Sequence, residues 1–320
     1  MSKDIVNIEI RDYVIRYTET NPKDSTKIDR LGEYFLPEGV IEGGMIEQPD
    51  TFQKLLHTCA KKWKLKRKKV RLTMPDSLVI IRKQKIPASV EKADIQRYVN
   101  FQLGDTIHLP FPKPLFETVL LNQGDDKHEI SIISTCEELV NPFIKHFENE
   151  KMKVIAVDIS PLNYYRMFHH QGTIDDEDNT LLIQYNAKNV VFSAFENHTP
   201  IFLQQFQLLL PEGDHHSFGP MMTKEDFNRD DVLLEFEEIR TEIERVERFY
   251  QYSMNNGEKS FTKTIVVGDH PYLSDIIEKL SDRSETEIVS VSDDTIDGPK
   301  GLKLERKFHN VYGLAMKDGH

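Results

Sequence analysis

The run Lys61-Lys62-Trp63-Lys64-Leu65-Lys66-Arg67-Lys68-Lys69 places seven cations in nine positions. Two readings compete: cations that complement the end of a helix and then a solvated loop, or contact with an anionic leaflet, worth on the order of 1 kcal/mol per cation close to the surface. Its single tryptophan is no platform for stacking bases, and 41 lysines and arginines against 53 acids give a net charge of −12, so no nucleic acid is expected as a partner. His169-His170 and His215-His216 are neighbours whose rings diverge on a helix, and no HExxH frame exists, so no metal is expected. Asp293-x-Thr295-x-Asp297-Gly298 opens like a calcium loop, but the twelfth position is Leu304 where glutamate is required. Cys59 and Cys136 stand far apart, excluding a CxxC pair. GxxxxGK[ST], GxGxxG and GxSxG are all missing, which removes P-loop, Rossmann and hydrolase-elbow chemistry.

The elements that would position these residues alternate between strand and helix. Period-two alternation over 5–10 and 13–18 predicts a strand pair, and Phe52, Leu55, Leu56 and Cys59 behind Pro49 predict a helix to about Trp63. Strands are expected at 70–74, 78–86, 115–121, 128–134 and 154–157. Helices are expected at 91–103, capped by Ser89, after Thr135-x-x-Glu138 as a capping box, and at 161–168. The acidic stretch 175–179 reads as a linker. Beyond it come strands at 180–185, 189–195 and 200–210, a long loop at 211–227 and one amphipathic helix striped by Val232, Phe236, Ile239, Ile243, Val246 and Phe249. A strand at 264–267, a helix at 272–280, a strand near 287–291 and a last helix bearing Leu304, Phe308, Val311 and Ala315 close the chain. No apolar run reaches the roughly 18 residues of a membrane span, and the start lacks a signal peptide's apolar stretch, so a cytoplasmic protein is expected.

Two halves that each open with consecutive strands and close with strand and helix units suggest an actin-like ATPase fold. Leu36-Pro37-Glu38-Gly39-Val40-Ile41-Glu42-Gly43-Gly44-Met45-Ile46, then a helix, a basic stretch, residues 70–75, Val79-Ile80-Ile81-Arg82-Lys83, Ile86-Pro87, a helix and Leu109-Pro110-Phe111, resemble the PilM family. These are actin-like, FtsA-related cytoplasmic proteins of type IV pilus and competence machines. The likeness runs on through Val157-Asp158-Ile159-Ser160-Pro161-Leu162 to Tyr312-Gly313-Leu314-Ala315, and the spacing from Phe101 to Phe111 is similar to Gram-positive members. It implies an α/β, two-lobed actin-like fold with a first-lobe core at 1–75 and 153–179, an inserted α+β subdomain at 76–152 and a second lobe at 180–320.

The family binds ATP between its lobes through two glycine loops and an adenosine motif, because backbone amides must approach phosphate with no side chain in the way. Here the first loop reads Glu9-Ile10-Arg11-Asp12-Tyr13-Val14-Ile15-Arg16, with Arg11 in a glycine's place. The second reads Gln184-Tyr185-Asn186-Ala187-Lys188, without carboxylate or glycine. The adenosine motif has become Val267-Gly268-Asp269-His270-Pro271-Tyr272-Leu273, keeping Gly268 alone. The resemblance therefore implies a pseudo-ATPase with a vestigial site at Glu9, Arg11, Arg16 and Gly268, no catalytic residue and no cofactor. The alternative is an active actin-like ATPase with ATP and magnesium, its carboxylates supplied by Glu9 and Asp158.

The resemblance also implies a scaffold that captures the cytoplasmic N-terminal tail of a PilN-like single-span membrane protein in a groove between first-lobe core and insertion, with Arg82, Pro87, Gln102, Pro110 and Phe111 as the residues shaping it. The protein would be peripheral to the cytoplasmic membrane through that partner, with membrane contact through Lys61, Lys62, Lys64, Lys66, Arg67, Lys68 and Lys69.

Overall fold

The computed structural model describes residues 5–21, 24–208, 222–284, 286–293 and 295–317. In chain order, β1 (Ile5–Arg11), β2 (Val14–Asn21) and β3 (Asp24–Phe35) form a meander, and the short β4 (Ile41–Glu42) and β5 (Met45–Ile46) lead into α1 (Pro49–Trp63) and β6 (Lys69–Met74). Then come β7 (Ile80–Pro87), α2 (Ile95–Gln102), β8 (Pro114–Asn122), β9 (Lys127–Cys136), α3 (Glu137–Asn149), β10 (Lys153–Ile159) and α4 (Ser160–His170). The second half holds β11 (Thr180–Tyr185), β12 (Asn189–Glu196), β13 (Thr199–Gln207), α5 (Arg229–Arg248), β14 (Lys263–Val267), α6 (Leu273–Ser281), β15 (Glu287–Val289) and α7 (His309–Ala315).

One sheet runs β10-β6-β1-β2-β3 and the other begins β15-β14-β11-β12-β13. In each, three antiparallel strands are followed by two parallel ones, so one lobe repeats the order of the other. This is the two-lobed actin-like arrangement. The first core gathers Val6, Ile8, Val70 and Leu72 under α1 and α3, and the second gathers Ile183, Phe192, Phe236 and Ile276 under α5 and α6. A third cluster, with Tyr164, Phe168, Ile265 and Val311, packs α4 and α7 between the lobes.

The insertion departs from expectation in two ways. Its strands β7, β9 and β8 continue the second lobe's sheet, through the pairing of Arg82 in β7 with Phe202 in β13. Ser131 Oγ donates to Pro200 O (2.5 Å), and Lys83 pairs with buried Glu196, which fastens that join. Meanwhile α3, expected within 76–152 as insertion, packs Phe143 and Phe147 into the first core.

Local signals account for most smaller differences. Thr135 caps nothing; its Oγ1 donates to Leu78 O (2.7 Å), and Cys136 takes the N-cap position of α3. A 3-10 turn at Lys92–Asp94 precedes α2, so Asp94 and not Ser89 stands at its N-cap. Leu304 and Phe308 are buried but lie before α7 begins. The 175–179 stretch is pinned to β14, Asp178 accepting from Thr262 Oγ1 and Lys263 Nζ, each at 2.8 Å. Residues 209–221, with most of the expected 211–227 loop and His215-His216, lie outside the described residues.

Candidate functional site

The carboxyl ends of β1 and β6 meet those of β11 and β14 in the cleft between the lobes, and the turns following these strands carry the three altered loops. There the side chains largely bond to one another, although Arg11 Nη2 and Arg16 Nη2 are buried without a hydrogen-bond partner among the described residues. Arg11 Nε donates to Glu9 Oε1 (2.7 Å), and Arg16 Nε donates to Glu33 Oε2 (3.2 Å). Across the cleft, Arg16 Nη1 donates to Asp269 Oδ2 (2.6 Å), Tyr13 Oη lies within 2.8 Å of both Asp269 oxygens, and the Ala187 amide donates to Asp269 Oδ1 (3.1 Å). Asp269 thus takes an arginine, a phenol and a backbone N–H, the set of donors that an anionic ligand would use. Burial alone would raise its pKa; the charges of Arg16 and Arg11 and the bonds from Tyr13 and Arg16 outweigh that and hold it at about 2.

Among the described residues, a cavity of about 30 Å³ is bordered by Glu9, Arg11, Asp12, Asp76, Ser160 and Lys188. That is room for a water or two, against the roughly 300 Å³ at which small-molecule pockets begin. In its wall, Ser160 Oγ sits within 2.8 Å of both Asp76 oxygens and 2.6 Å from Gln184 Oε1. Burial pushes the Asp76 carboxyl up to about 6 although Arg11 and Ser160 pull the other way. A second hollow of about 190 Å³ opens beside Gly268, His270, Pro271 and Ser274 at the start of α6. Arg306 lines it and donates Nη1 to Ser274 Oγ (3.0 Å).

Gly268 has a reason of its own. Its φ is +133°, and a Cβ there would lie 2.0 Å from Tyr185 O, so the residue is needed for the close passage of β14's end against β11. Asn186, in the second loop, closes the turn to β12: its N–H donates to Asn189 O (2.9 Å) and its Nδ2 to Asn189 Oδ1 (2.8 Å). Asp158 is bound by Arg166 and by Lys317 Nζ (3.1 Å) and makes no contact with Glu9.

The insertion presents two faces. Arg82 pairs with Ile132, which packs with Ile95 and Val99 of α2, and Arg82 Nη1 donates to His108 O (2.7 Å). Gln102 is the last residue of α2, its carbonyl accepting from the amides of Asp105, Thr106 and Ile107 in the loop that follows. Pro87 ends β7, Pro110 is exposed and Phe111 half-buried. The expected partner residues are therefore dispersed, and Arg82 and Gln102 lie with α2, on the face turned away from the first lobe. The face turned toward it carries Ile81 and Ile133, packed with Ile159 and Leu162, and continues across β8 with Leu115 and Val119, 43% and 37% exposed. Beside these two, among the described residues, the outer edge of β8 is unpaired, as is that of β10, where Ile155 is exposed. In the sequence Leu115-Phe116-Glu117-Thr118-Val119-Leu120 apolar and polar residues do not alternate, so no local pattern marks this face.

The profile of the type IV pilus assembly protein PilM matches residues 4–208, more than half of the chain. The chain belongs to the PilM family. None of the curated proteins matches its sequence. Among solved structures it is similar to a PilM-PilN type IV pilus biogenesis complex, with a TM-score of 0.78 at 13% identity over 99% of each chain. It is also similar to the ethanolamine utilization protein EutJ from Carboxydothermus hydrogenoformans, at 0.51 and 9% identity over 98% of this chain and 89% of that one. For this PilM-family chain, then, the fold is shared across 99% of its length while Arg16, Tyr13 and the Ala187 amide in its cleft bond to Asp269. Among the described residues no helix is long and apolar enough to cross a membrane, and no three His, Cys, Asp or Glu side chains gather as a metal site.

Proposed function

We propose that this chain is a scaffold of a type IV pilus or competence pseudopilus assembly machine. It binds the cytoplasmic N-terminal tail of a PilN-like single-span membrane protein, and its cleft has given up nucleotide turnover. The observation that carries the partner reading is the uncovered apolar face of β8, Leu115 and Val119, on an open sheet edge beside the first lobe. An extended tail added there would gain backbone pairing from the edge and specificity from alternate side chains. The neighbour solved as a PilM-PilN complex supports the class of partner. Family membership supports the machine.

The pseudo-ATPase reading rests on the interlobe bonds. A phosphate entering the cleft would have to displace the Asp269 carboxylate from Arg16, Tyr13 and the Ala187 amide, and would then face Glu9, Glu33 and Asp269 together. Like charges at such range in a buried site cost several kcal/mol. In this reading the protein resides in the cytoplasm, is held at the inner membrane face by its partner, and adds peripheral contact through its basic run.

The test is fluorescence polarisation with a labelled peptide of the tail encoded beside this gene. Binding should be moderate, since ordering a flexible tail opposes it, and Leu115→Asp with Val119→Asp should weaken it at least tenfold with the melting temperature little changed. Absence of binding, or equal binding to the variant, sinks the assignment of the groove.

A further inference from the structure

We infer that the end of the first lobe opposite the cleft is a docking face for an anionic bilayer, built from Lys61, Lys62, Lys64, Lys66 and Arg67 together with Lys151 and Lys153. The parallel strands β1, β6 and β10 all begin at this end, and their carboxyl ends lead to the cleft. Three backbone bonds gather the cations: Leu65 N to Ala60 O (2.9 Å), Arg67 N to Lys151 O (2.9 Å) and Lys153 N to Lys68 O (2.9 Å). Lys151 and Lys153, far from the basic run in sequence, thereby join it. All seven side chains are exposed, and among the described residues none of them has an ion pair. Lys68 differs, since Glu19 holds it.

The backbone supplies the second observation. Lys64, Arg67 and Lys151 have φ of 60°, 67° and 61°. Glycine or asparagine occupies this left-handed region at lower cost, yet all three positions carry long cations. Packing alone does not ask for a cation there, whereas a charged surface facing the patch does.

The chemistry of the patch selects the partner. Its apolar members are unavailable: Leu65 is fully buried, and Trp63 is 4% exposed and stacked on Tyr17 at 4.5 Å. A protein partner would lack the apolar anchor on which stable interfaces depend, and single-stranded nucleic acid would lack an aromatic to stack on. An anionic leaflet needs neither, because attraction to Lys and Arg suffices. A net charge of −12 over the whole chain then orients the molecule, with this cationic end toward the lipid. Since Lys153 begins β10 and the exposed Ile155 follows two residues later, the docked end would also bring the open β10 edge close to the membrane. That last point rests on the groove assigned under the proposed function, and the lipid contact deepens the peripheral contact proposed there by adding Lys151 and Lys153 to the basic run.

The experiment is co-flotation of the full chain with vesicles of phosphatidylglycerol and phosphatidylcholine, against phosphatidylcholine alone, at low and high salt. The triple variant Lys64→Gly, Arg67→Gly, Lys151→Gly is compared in parallel. Glycine relieves the left-handed backbone as it removes the charge, so the variant should melt at the same temperature or higher. Its partition onto anionic vesicles should fall roughly a hundredfold, at about fivefold per cation. Binding to neutral lipid should be negligible, and binding to anionic lipid should vanish near 1 M salt, where the Debye length is about 3 Å. Undiminished flotation of a folded triple variant, no flotation of the parent at low salt, or tighter binding to a single-stranded oligonucleotide than to anionic vesicles each overturns the inference. Tail-peptide binding measured on the same variant should be unchanged, which separates a failure here from a failure of the groove.

Discussion

Arg16 Nη1 in β2 and Asp269 Oδ2 in the turn after β14 are 2.6 Å apart, with side chains 0% and 1% exposed, and they join one lobe to the other. A buried ion pair of this kind adds little net stability over a well-packed apolar pair, but removing one partner strands the other charge at about 3–5 kcal/mol. Asp269 holds three donors at once. The lobes are thus tied by a carboxylate standing where an anionic ligand would otherwise find its donors.

Asp269→Asn should therefore destabilise the fold by about 3 kcal/mol or more, read by urea denaturation. Arg16→Met combined with Asp269→Leu should lose less than the sum of Arg16→Met and Asp269→Leu alone, because no uncompensated charge remains. Additive losses would mean that the two residues do not act as a pair.

Magnesium ATP should leave the melting temperature unchanged. A ligand at 100 times its dissociation constant adds about 2.7 kcal/mol, a shift readily seen for a chain of this size, so millimolar nucleotide would reveal even weak binding. A clear upward shift would show that the interlobe bonds open for nucleotide and would refute the pseudo-ATPase reading.

Gly268→Ala separates conservation of form from conservation of chemistry at the one glycine kept from the adenosine motif. The added Cβ meets Tyr185 O at 2.0 Å, backbone that cannot step aside, and φ of +133° is unfavourable for alanine. The expected loss is at least about 2 kcal/mol, with no change in nucleotide response. A variant as stable as the parent would contradict the close passage of β14 against β11.

Much of the fold was legible because its strands bury whole faces. The alternation at 5–10 and 13–18 marks β1 and β2, and the stripe from Val232 to Val246 marks α5, since a buried face repeats its apolar residues at the element's own period. β3 was not read, for as an edge strand it alternates charged with half-exposed residues and has no clean period. The join of β7 to β13 rests on pairing between residues 120 positions apart, which no local pattern reports. Of the cleft, the substitutions at Arg11, Asn186 and Asp269 were visible, but not that Asp269 reaches Arg16 across 253 positions. Arg82 matched a family landmark whose side chain lies with α2 and reaches His108, a matter of strand parity that sequence order does not settle.

Acid should weaken the protein in two stages, the first set by the burial of two histidines and the second by the charges of Arg16 and Arg11 beside Asp269. His270 and His309 are buried and neutral, their pKa values pushed by desolvation down to about 4 despite nearby Asp269 and Asp293. Their folded values lie below the unfolded one of about 6.5, so the stability they contribute is present above pH 6.5 and is lost as pH falls toward 4. The loss is on the order of 3 kcal/mol for each. Asp269, held at about 2 against an unfolded value near 3.9, acts in the same direction between pH 4 and 2. Asp76 opposes them: with its folded value raised to about 6, its contribution is present below pH 4 and disappears as pH rises through 6. Two histidines outweigh one aspartate, so urea midpoints should decline from pH 7 to 4. Asp76→Asn removes the opposing contribution while leaving an oxygen to accept from Ser160. Relative to the parent, the variant should therefore gain about 3 kcal/mol between pH 4 and pH 7. A stability difference between parent and variant that stays constant over that range would show that Asp76 does not titrate as its burial demands.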